Sequence, residues 1–353
     1  STRASVSPRG PHRMTTQNVA RLEEQYFRPP PQPVRPLRAA RATRNFMVQK
    51  PLGGFGVILI AVVVLVAFLA PFIQRYDPDE VFSRDNPDYD AELAEKSLED
   101  RSIRFLYPPE KFEKTVVASV DGISAGHWLG TDTAGRDVYS RMVWGAQLSL
   151  LVGVGAAIIA IGFGLFFGII SAYFGGWVDM LIQRLTDTLQ AFPALILLLL
   201  FLQVVENANK YHMTIALGIV GIAAVIRVVR SAVLRARAEL YVEAAQVIGA
   251  TDARVMVRHI LPNIMAPTIV IFTISIGSYI VAESSLAFIG FGDPAAISWG
   301  KMVNEGRKLF PAEYTMSLVS GGAITLTVLG FNLAGDALRD VLDPRMRGAG
   351  KSG

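Results

Sequence analysis

The sequence predicts an all-α integral membrane protein with about six transmembrane helices. Hydrophobic residues make up 51% of its 353 residues and charged residues only 18%, whereas a soluble domain carries about a quarter charged residues. A helix needs about 20 mostly apolar residues to cross a bilayer, where its backbone must satisfy its own hydrogen bonds. Six charge-free stretches fit this requirement, two of them with polar ends: 51–74, 142–178, 188–205, 211–226, 260–282 and 314–335.

The distribution of charge orients these helices with both chain ends in the cytoplasm. Cytoplasmic segments of membrane proteins carry an excess of Lys and Arg. The segments that six spans place inside hold 21 Lys and Arg against 10 Asp and Glu, and those placed outside hold 13 against 19. The net charge of +4 therefore reflects membrane orientation, and no nucleic-acid partner is expected.

The first predicted unit is a basic, proline-rich cytoplasmic arm over residues 1–50. It holds ten Lys and Arg against two Glu, with five prolines between positions 29 and 36. This composition favours a disordered or polyproline segment, within which Met14 is an alternative start. We interpret the arm as a solvated tail attracted to anionic membrane lipid, with partner binding as the alternative.

An extracytoplasmic insertion, residues 75–141, follows the first transmembrane helix at 51–74. Within it, Asp90–Asp100 is predicted to form a surface helix capped by Asp90. Nearby acidic residues also resemble a calcium-binding loop, but that loop requires glycine where Leu93 stands. The insertion either contacts a partner at the outer mouth or is a passive surface segment.

A polar cluster lies near the end of the insertion, at Asp132, Arg136 and Asp137. Gly130 and Gly135 provide bends beside it. We interpret the cluster as a turn and a helix start, and a part in an outer gate is the alternative.

The later spans form the predicted transmembrane domain, residues 142–340, before a cytoplasmic tail at 341–353. Gly164 and Gly168 have the spacing at which two membrane helices approach closely. The third span begins with an amphipathic stretch and is expected to kink near Pro193. The five spans are predicted at 148–173, 177–205, 211–230, 264–288 and 314–335.

The cytoplasmic loop at 231–262 carries the pattern that points most directly to a function. Residues 241–263 are predicted to form two short helices joined near Gly249 and Ala250, because glycine permits a sharp turn. A flat patch of small side chains beside one charge would let a partner surface approach the backbone. The alternative is an ordinary loop without a partner. The patch consists of Glu243, Ala244 and Ala245.

This stretch resembles the EAA signature of permease subunits in bacterial ATP-binding-cassette (ABC) importers. Three further stretches, 127–137, 282–300 and 332–345, are similar to the C-type subunit of the dipeptide and oligopeptide importers and follow in the matching order. The chain is therefore identified as a member of the binding-protein-dependent transport inner membrane component family. The signature matches at Glu243, Ala244, Ala245, Gly249, Leu261 and Pro262.

The resemblance implies a type I ABC importer permease (MetI-like) fold in the bacterial plasma (inner) membrane. It implies, as partners, a second homologous permease, two ATPase subunits and an extracytoplasmic substrate-binding protein. A coupling helix would dock on an ATPase, and a bulky residue at Gly249 is expected to uncouple ATP hydrolysis from uptake. The coupling residues that the resemblance implies are Tyr241, Glu243, Ala244, Ala245, Ile248, Gly249 and Ala250.

No catalysis and no bound cofactor are expected of this chain itself. The resemblance places ATP and Mg²⁺ on the partner ATPases, and the P-loop-like stretch at 345–352 has Arg345 where the first glycine is required. The absence of cysteine excludes disulfides and thiolate metal sites. The four histidines are not spaced as metal ligands, so no metal site is predicted.

Glu283 is the one acidic residue deep within a predicted span. An ionisable group is costly there and usually faces a cavity or a partner. The two interpretations are a residue of the translocation path or gate, and a structural hydrogen bond to a neighbouring helix.

The resemblance favours di- or oligopeptides as the transported solute. Nickel, glutathione or another small solute is the alternative within the same fold, and no residue identifies the substrate contacts. A secondary transporter or channel is a further class, which should show internal repeats and intramembrane ion ligands. The sequence contains no convincing repeat and only one deep acidic residue.

Overall fold

The computed structural model describes residues 50–84, 117–118, 122–205, 208–308 and 314–342. Three predicted features lie outside the described residues: the arm before Lys50, the surface helix at 90–100, and the tail from residue 343 with its P-loop-like stretch.

The described residues form nine helices and one short strand pair. β1 (Ser83–Arg84) pairs antiparallel with β2 (Val117–Ala118) in the outer insertion. The helices are α1 (Pro51–Ile73), α2 (Val138–Phe174), α3 (Gly176–Gln190), α4 (Ala194–Val204), α5 (Lys210–Arg237), α6 (Leu240–Val247), α7 (Asp252–Phe288), α8 (Trp299–Arg307) and α9 (Thr315–Leu342).

Five of these helices are long and apolar enough to cross a membrane, namely α1, α2, α5, α7 and α9. Together, α3 and α4 pass the same test as a sixth span that is bent by 85°. The prediction of an all-α protein with about six transmembrane helices is therefore confirmed.

The kink expected near Pro193 is a full break between α3 and α4. Proline has no N–H to donate into a continuing helix, and Pro193 directly precedes α4. Ion pairs attach α3 to α5. Arg230 donates to both carboxylate oxygens of Asp179, at 2.7 and 2.5 Å. Arg227 pairs with Asp187 at 2.8 Å. The amphipathic stretch is thus a separate helix held by polar contacts.

The second span starts ten residues before its predicted position, since α2 begins at Val138. Asp137 caps it, accepting a hydrogen bond from the Ser140 N–H at 2.8 Å. Buried Arg141 in its first turns donates to the carbonyl oxygen of Pro78 at 3.0 Å. Hydropathy marks only the apolar part of a helix, so it misses turns that protein rather than lipid covers.

Small residues bring α2 and α5 into close contact, as the spacing of Gly164 and Gly168 predicts. A methyl group added at Gly164 would overlap Val225, and one at Gly168 would overlap Val229. Close approach of this kind substitutes for the hydrophobic effect, which does not drive helix association within lipid.

Contacts between helix ends show which segments share one end of the bundle. Lys50, just before α1, pairs with Asp340 of α9 at 2.7 Å. At the opposite end, the backbone N–H of Tyr76 donates to Ser140 Oγ at 3.1 Å. Tyr173, at the far end of α2 from Ser140, contacts Asp252 at the start of α7. The excess of basic residues identifies the Lys50 end, which also carries α6, as cytoplasmic.

Candidate functional site

Apolar side chains hold α6 against the cytoplasmic end of the bundle. Val242 and Ala245 are buried in a cluster that contains Val233 of α5 and both Val255 and Ile260 of α7. Val242 and Ala245 are three residues apart and lie on one side of the helix. The residues on the opposite side of α6 are exposed.

That opposite side of α6 carries an exposed apolar surface. Leu240, Val247 and Ile248 are 80%, 82% and 84% exposed, and Glu243 and Ala244 beside them are exposed as well. Clustered apolar exposure of this kind marks interaction sites on protein surfaces. We call the exposed apolar surface formed by Leu240, Val247 and Ile248 the α6 patch.

Gly249 ends α6 in a Schellman turn, with φ of +84°. Its N–H donates to the carbonyl oxygen of Gln246 at 2.9 Å, and the N–H of Ala250 donates to that of Ala245 at 3.0 Å. Glycine adopts this left-handed conformation without the penalty that a Cβ brings. The sharp turn predicted at Gly249 and Ala250 is therefore present.

The second short helix predicted after this turn is instead the first part of α7. The turns over Val255–Ile260 are π-helical, and the N–H of Leu261 donates to the carbonyl oxygen of Met256, five residues back. A π-helical turn can absorb an irregularity without ending the helix. Here it precedes Pro262, which cannot donate a hydrogen bond, so α7 runs unbroken from the cytoplasmic turn into the membrane.

The seven predicted coupling residues fall into two groups. Ala245 is buried against the bundle and Ala250 is half-buried. The exposed members are Tyr241, Glu243, Ala244, Ile248 and Gly249.

Leu240 and Val247, the other members of the α6 patch, were not predicted as coupling residues. In the sequence, apolar residues follow Leu240 seven and eight positions later. This spacing places all three patch residues on one helix face.

Tyr241 is neutral at physiological pH, which keeps the exposed side of α6 short of charge. Partial burial, together with the nearby carboxylate of Glu239, raises the pKa of its phenol above the usual value. Glu243 is then the one acidic side chain within α6.

At the outer end of α7, Glu283 is 1% exposed and accepts two hydrogen bonds. Ser298 Oγ donates to one carboxylate oxygen at 2.7 Å, and Ser284 Oγ donates to the other at 3.2 Å. Ser298 also caps α8, accepting from the Gly300 N–H at 3.1 Å. Glu283 therefore joins α7 to the start of α8, as the structural interpretation expects.

Glu283 also borders a cavity of about 270 Å³ between the outer ends of α5, α7 and α8. Lys210 and Lys301 line the same cavity. Its position beside this cavity is therefore also compatible with the interpretation of Glu283 as a residue of the translocation path.

The outer cluster forms a turn and a helix cap, in line with its first interpretation. Asp132 accepts from the backbone N–H groups of Ala134 and Arg136, each at 2.9 Å, and from Arg136 Nε at 2.7 Å. Asp137 caps α2 and contacts His127 Nδ1 at 2.9 Å. In the part of the chain that the structure describes, no group of three acidic, His or Cys side chains is arranged to hold a metal ion.

Comparison with protein families matches residues 164–348 to the family described as the binding-protein-dependent transport system inner membrane component. This range contains all of α3 to α9 and therefore the α6 patch, the turn at Gly249 and Glu283.

Curated relatives match most of the chain. The dipeptide transport system permease protein DppC of Alkalihalophilus pseudofirmus is 42% identical over 229 residues, which is 65% of this chain and 75% of that protein. The glutathione transport system permease protein GsiD of Escherichia coli is 35% identical over 292 residues, which is 82% of this chain and 86% of that protein. GsiD of Pectobacterium atrosepticum is 33% identical over 305 residues, covering 86% and 90% respectively.

Among solved structures, a chain of the MetNI methionine ABC transporter in inward-facing conformations has a similar fold. The TM-score is 0.50 at 17% sequence identity, and the match covers 57% of this chain and 96% of that chain. With the family match and the apolar helices, this supports the type I permease fold. The chain thus belongs to the binding-protein-dependent transport system inner membrane component family, as a multi-pass permease subunit of an ABC transporter in the inner membrane.

Proposed function

We propose that this chain is one of two permease halves of an ATP-driven importer for short peptides. The names of its relatives support this substrate class: one set refers to dipeptides and the other to glutathione. Glutathione is itself a tripeptide, so both names describe a short, polar peptide. A second homologous permease would complete the pathway, and an extracytoplasmic binding protein would deliver the solute.

The α6 patch is the observation that carries the ATP-driven part of the proposal. Val242 and Ala245 fix α6 to the bundle, and three large apolar side chains project from the opposite face. Burying this face against another protein is favoured by the hydrophobic effect. Two ATPase subunits, one for each permease half, would bind such faces and supply the energy from ATP and Mg²⁺.

The unbroken α7 gives motion at α6 a route to the outer side of the membrane. The helix has 37 residues, which corresponds to about 55 Å at 1.5 Å per residue. It begins two residues after the Schellman turn ends at Ala250 and carries Glu283 near its outer end, hydrogen-bonded to the start of α8. Displacement of α6 by an ATPase would therefore tilt a single rigid element that reaches the outer cavity.

Co-purification of the ATPase tests this docking face. Leu240→Asp and Ile248→Asp place a charge in the centre of a buried contact, and each is expected to reduce the co-purified ATPase about tenfold. Ser231→Asp, at an exposed site on the cytoplasmic half of α5, is the matched control and should retain the ATPase. Full ATPase recovery with both patch variants would refute the proposed docking face.

Glutathione is the second candidate solute, favoured by the coverage of the GsiD relatives. Uptake of a tritiated dipeptide and of tritiated glutathione, by cells that express the complete transporter, separates the two. We expect the dipeptide to accumulate and excess unlabelled dipeptide to suppress the signal. Uptake of glutathione alone would assign the narrower substrate, and uptake of Ni²⁺ alone would exclude peptides.

A further inference from the structure

Tyr173 lies one residue before the cytoplasmic end of α2, and its side chain is only 5% exposed. Its hydroxyl donates a hydrogen bond to Asp252 Oδ1 at 2.7 Å and accepts one from Gln246 Nε2 at 3.4 Å. Asp252 is the first residue of α7, and Gln246 lies in the last turn of α6. One hydroxyl group thus joins α2 to both sides of the turn at Gly249.

The same tyrosine contacts the end of α5 and lies close in sequence to the start of α3. The guanidinium carbon of Arg237 lies 5.8 Å from the centroid of the Tyr173 ring, and Arg237 Nη1 donates to the carbonyl oxygen of Ala172 at 3.4 Å. Gly175 and Gly176, both with positive φ, follow Phe174 and turn the chain into α3. A displacement of Tyr173 would therefore act on α2 and on the segment that begins α3.

We infer that Tyr173 is a positioning residue that transmits the displacement of α6 to α2 through its two hydroxyl hydrogen bonds. The inference rests on the proposed function, since it concerns motion that a docked ATPase would impose. It names a second route for that motion, separate from the direct route along α7. The route runs from Gln246 and Asp252 through the Tyr173 hydroxyl to α2.

The physical reason lies in the difference between apolar and hydrogen-bonded contacts. Val242 and Ala245 attach α6 by apolar packing, which is non-directional and tolerates sliding. Hydrogen bonds depend on distance and angle, so they resist the same sliding. Among the described residues, the hydrogen bonds that join α2 to the segment from α6 to the start of α7 both involve the Tyr173 hydroxyl. Without it, α7 could move while α2 stays in place.

Two reporter positions make the two routes separable, because the chain contains no natural cysteine. A cysteine at Thr133, in the exposed turn that leads into α2, reports on α2. A cysteine at Ala296, which lines the outer cavity beyond α7, reports on α7. In the complete transporter, reconstituted in lipid, a membrane-impermeant maleimide labels each cysteine with and without ATP plus vanadate.

Tyr173→Phe keeps the ring and removes the hydroxyl. It is expected to shrink the ATP-dependent change in labelling at position 133 about three- to tenfold, with the change at position 296 and the rate of ATP hydrolysis retained. Asp252→Ala should act in the same way, and adding it to Tyr173→Phe should cause little further loss. Asp252→Asn keeps an oxygen acceptor and should restore most of the change. Tyr314→Phe, at an exposed outer tyrosine, is the control.

An unchanged response at position 133 in Tyr173→Phe and Asp252→Ala would overturn the inference. The inference would also be overturned if neither variant assembled, because Tyr173 would then serve only to stabilise the fold. A parent transporter that responds to ATP at position 296 and not at position 133 would likewise refute the second route. If neither position of the parent responds, the proposed function itself fails.

Discussion

Gly249 has a backbone conformation that disfavours any residue with a side chain. Open space surrounds it. Its φ is +84°, and a Cβ built there would meet no described atom of this chain within 4 Å. Any L-residue would bear the conformational penalty, but only a large one would project into the space where we propose that a partner docks. Substitutions of different size at Gly249 therefore separate a folding role from a docking role.

Gly249→Ala is expected to cost about 1 kcal/mol of folding free energy and to retain most of the co-purified ATPase. Gly249→Trp bears a similar conformational cost and is expected to lose the ATPase, because the indole would stand beside Ile248. The apparent Tm of both variants in detergent is the control and should fall equally. Equal retention of the ATPase by the two variants would contradict docking at this turn.

The hydrogen bonds that Glu283 accepts from Ser298 and Ser284 favour its structural interpretation over a charge in the pathway. Glu283→Gln keeps an acceptor oxygen and is expected to leave solute uptake within about twofold of the parent. Glu283→Ala leaves buried serine hydroxyls without their acceptor and should destabilise the protein by about 1–3 kcal/mol. Apparent Tm and uptake are measured together. Loss of uptake in a thermally stable Glu283→Gln variant would assign the residue to the path or gate instead.

A residue whose effect is confined to the local backbone could be predicted from the sequence. Which way a side chain faces in the folded protein could not. Gly249 was identifiable because its effect on the backbone is local. The burial of Ala245 and the exposure of Leu240 depend on which face of α6 meets Val233 and Val255. Tyr173 was missed for the same reason, since its partners lie more than 70 positions away in the chain.

At the scale of elements, the contact between α2 and α5 depends on glycine. Gly164 and Gly168 face Val225 and Val229, whereas a Cβ added at Gly162 of the same helix would meet no described neighbour within 4 Å. The three glycines therefore offer a comparison within one helix. Only those at the contact should be sensitive to side-chain size.

Gly168→Leu is expected to destabilise the protein by about 1–3 kcal/mol or more, because overpacking forces the two helices apart. Gly162→Leu, on the exposed side of α2, should leave stability within about 0.5 kcal/mol. The amount of monodisperse protein after detergent extraction and its apparent Tm check both. Comparable losses in the two variants would show that the close contact is not what stabilises the pair.

Hydropathy predicted where the helices lie, but it did not predict where they end or the angles between them. Most residues of the six apolar stretches lie in helices, although the stretch at 188–205 crosses the break between α3 and α4. The glycine spacing identified the contact surface of α2. The 85° break at Pro193 and the continuity of α7 depend on tertiary contacts and on the π-helical turn. Such features leave little trace in composition, because a helix that continues past a proline and one that ends there have similar sequences.

At the scale of the whole molecule, the two ends of the helical bundle carry different features. The cytoplasmic end presents the α6 patch, and the outer end holds the cavity bordered by Glu283. α7 spans the distance between them without a break. ATP-driven transport by this chain then requires that another protein covers the α6 patch on the cytoplasmic side.

Site-directed photo-crosslinking of the assembled transporter tests that requirement most directly. A benzophenone-maleimide is attached at Ile248→Cys, and at Lys308→Cys on the exposed end of α8 as the matched outer control; the chain has no natural cysteine. We predict a crosslinked adduct with the ATPase subunit from position 248 and none from position 308. An assembled transporter that yields no ATPase adduct from position 248, or yields one with the external binding protein there, would contradict it.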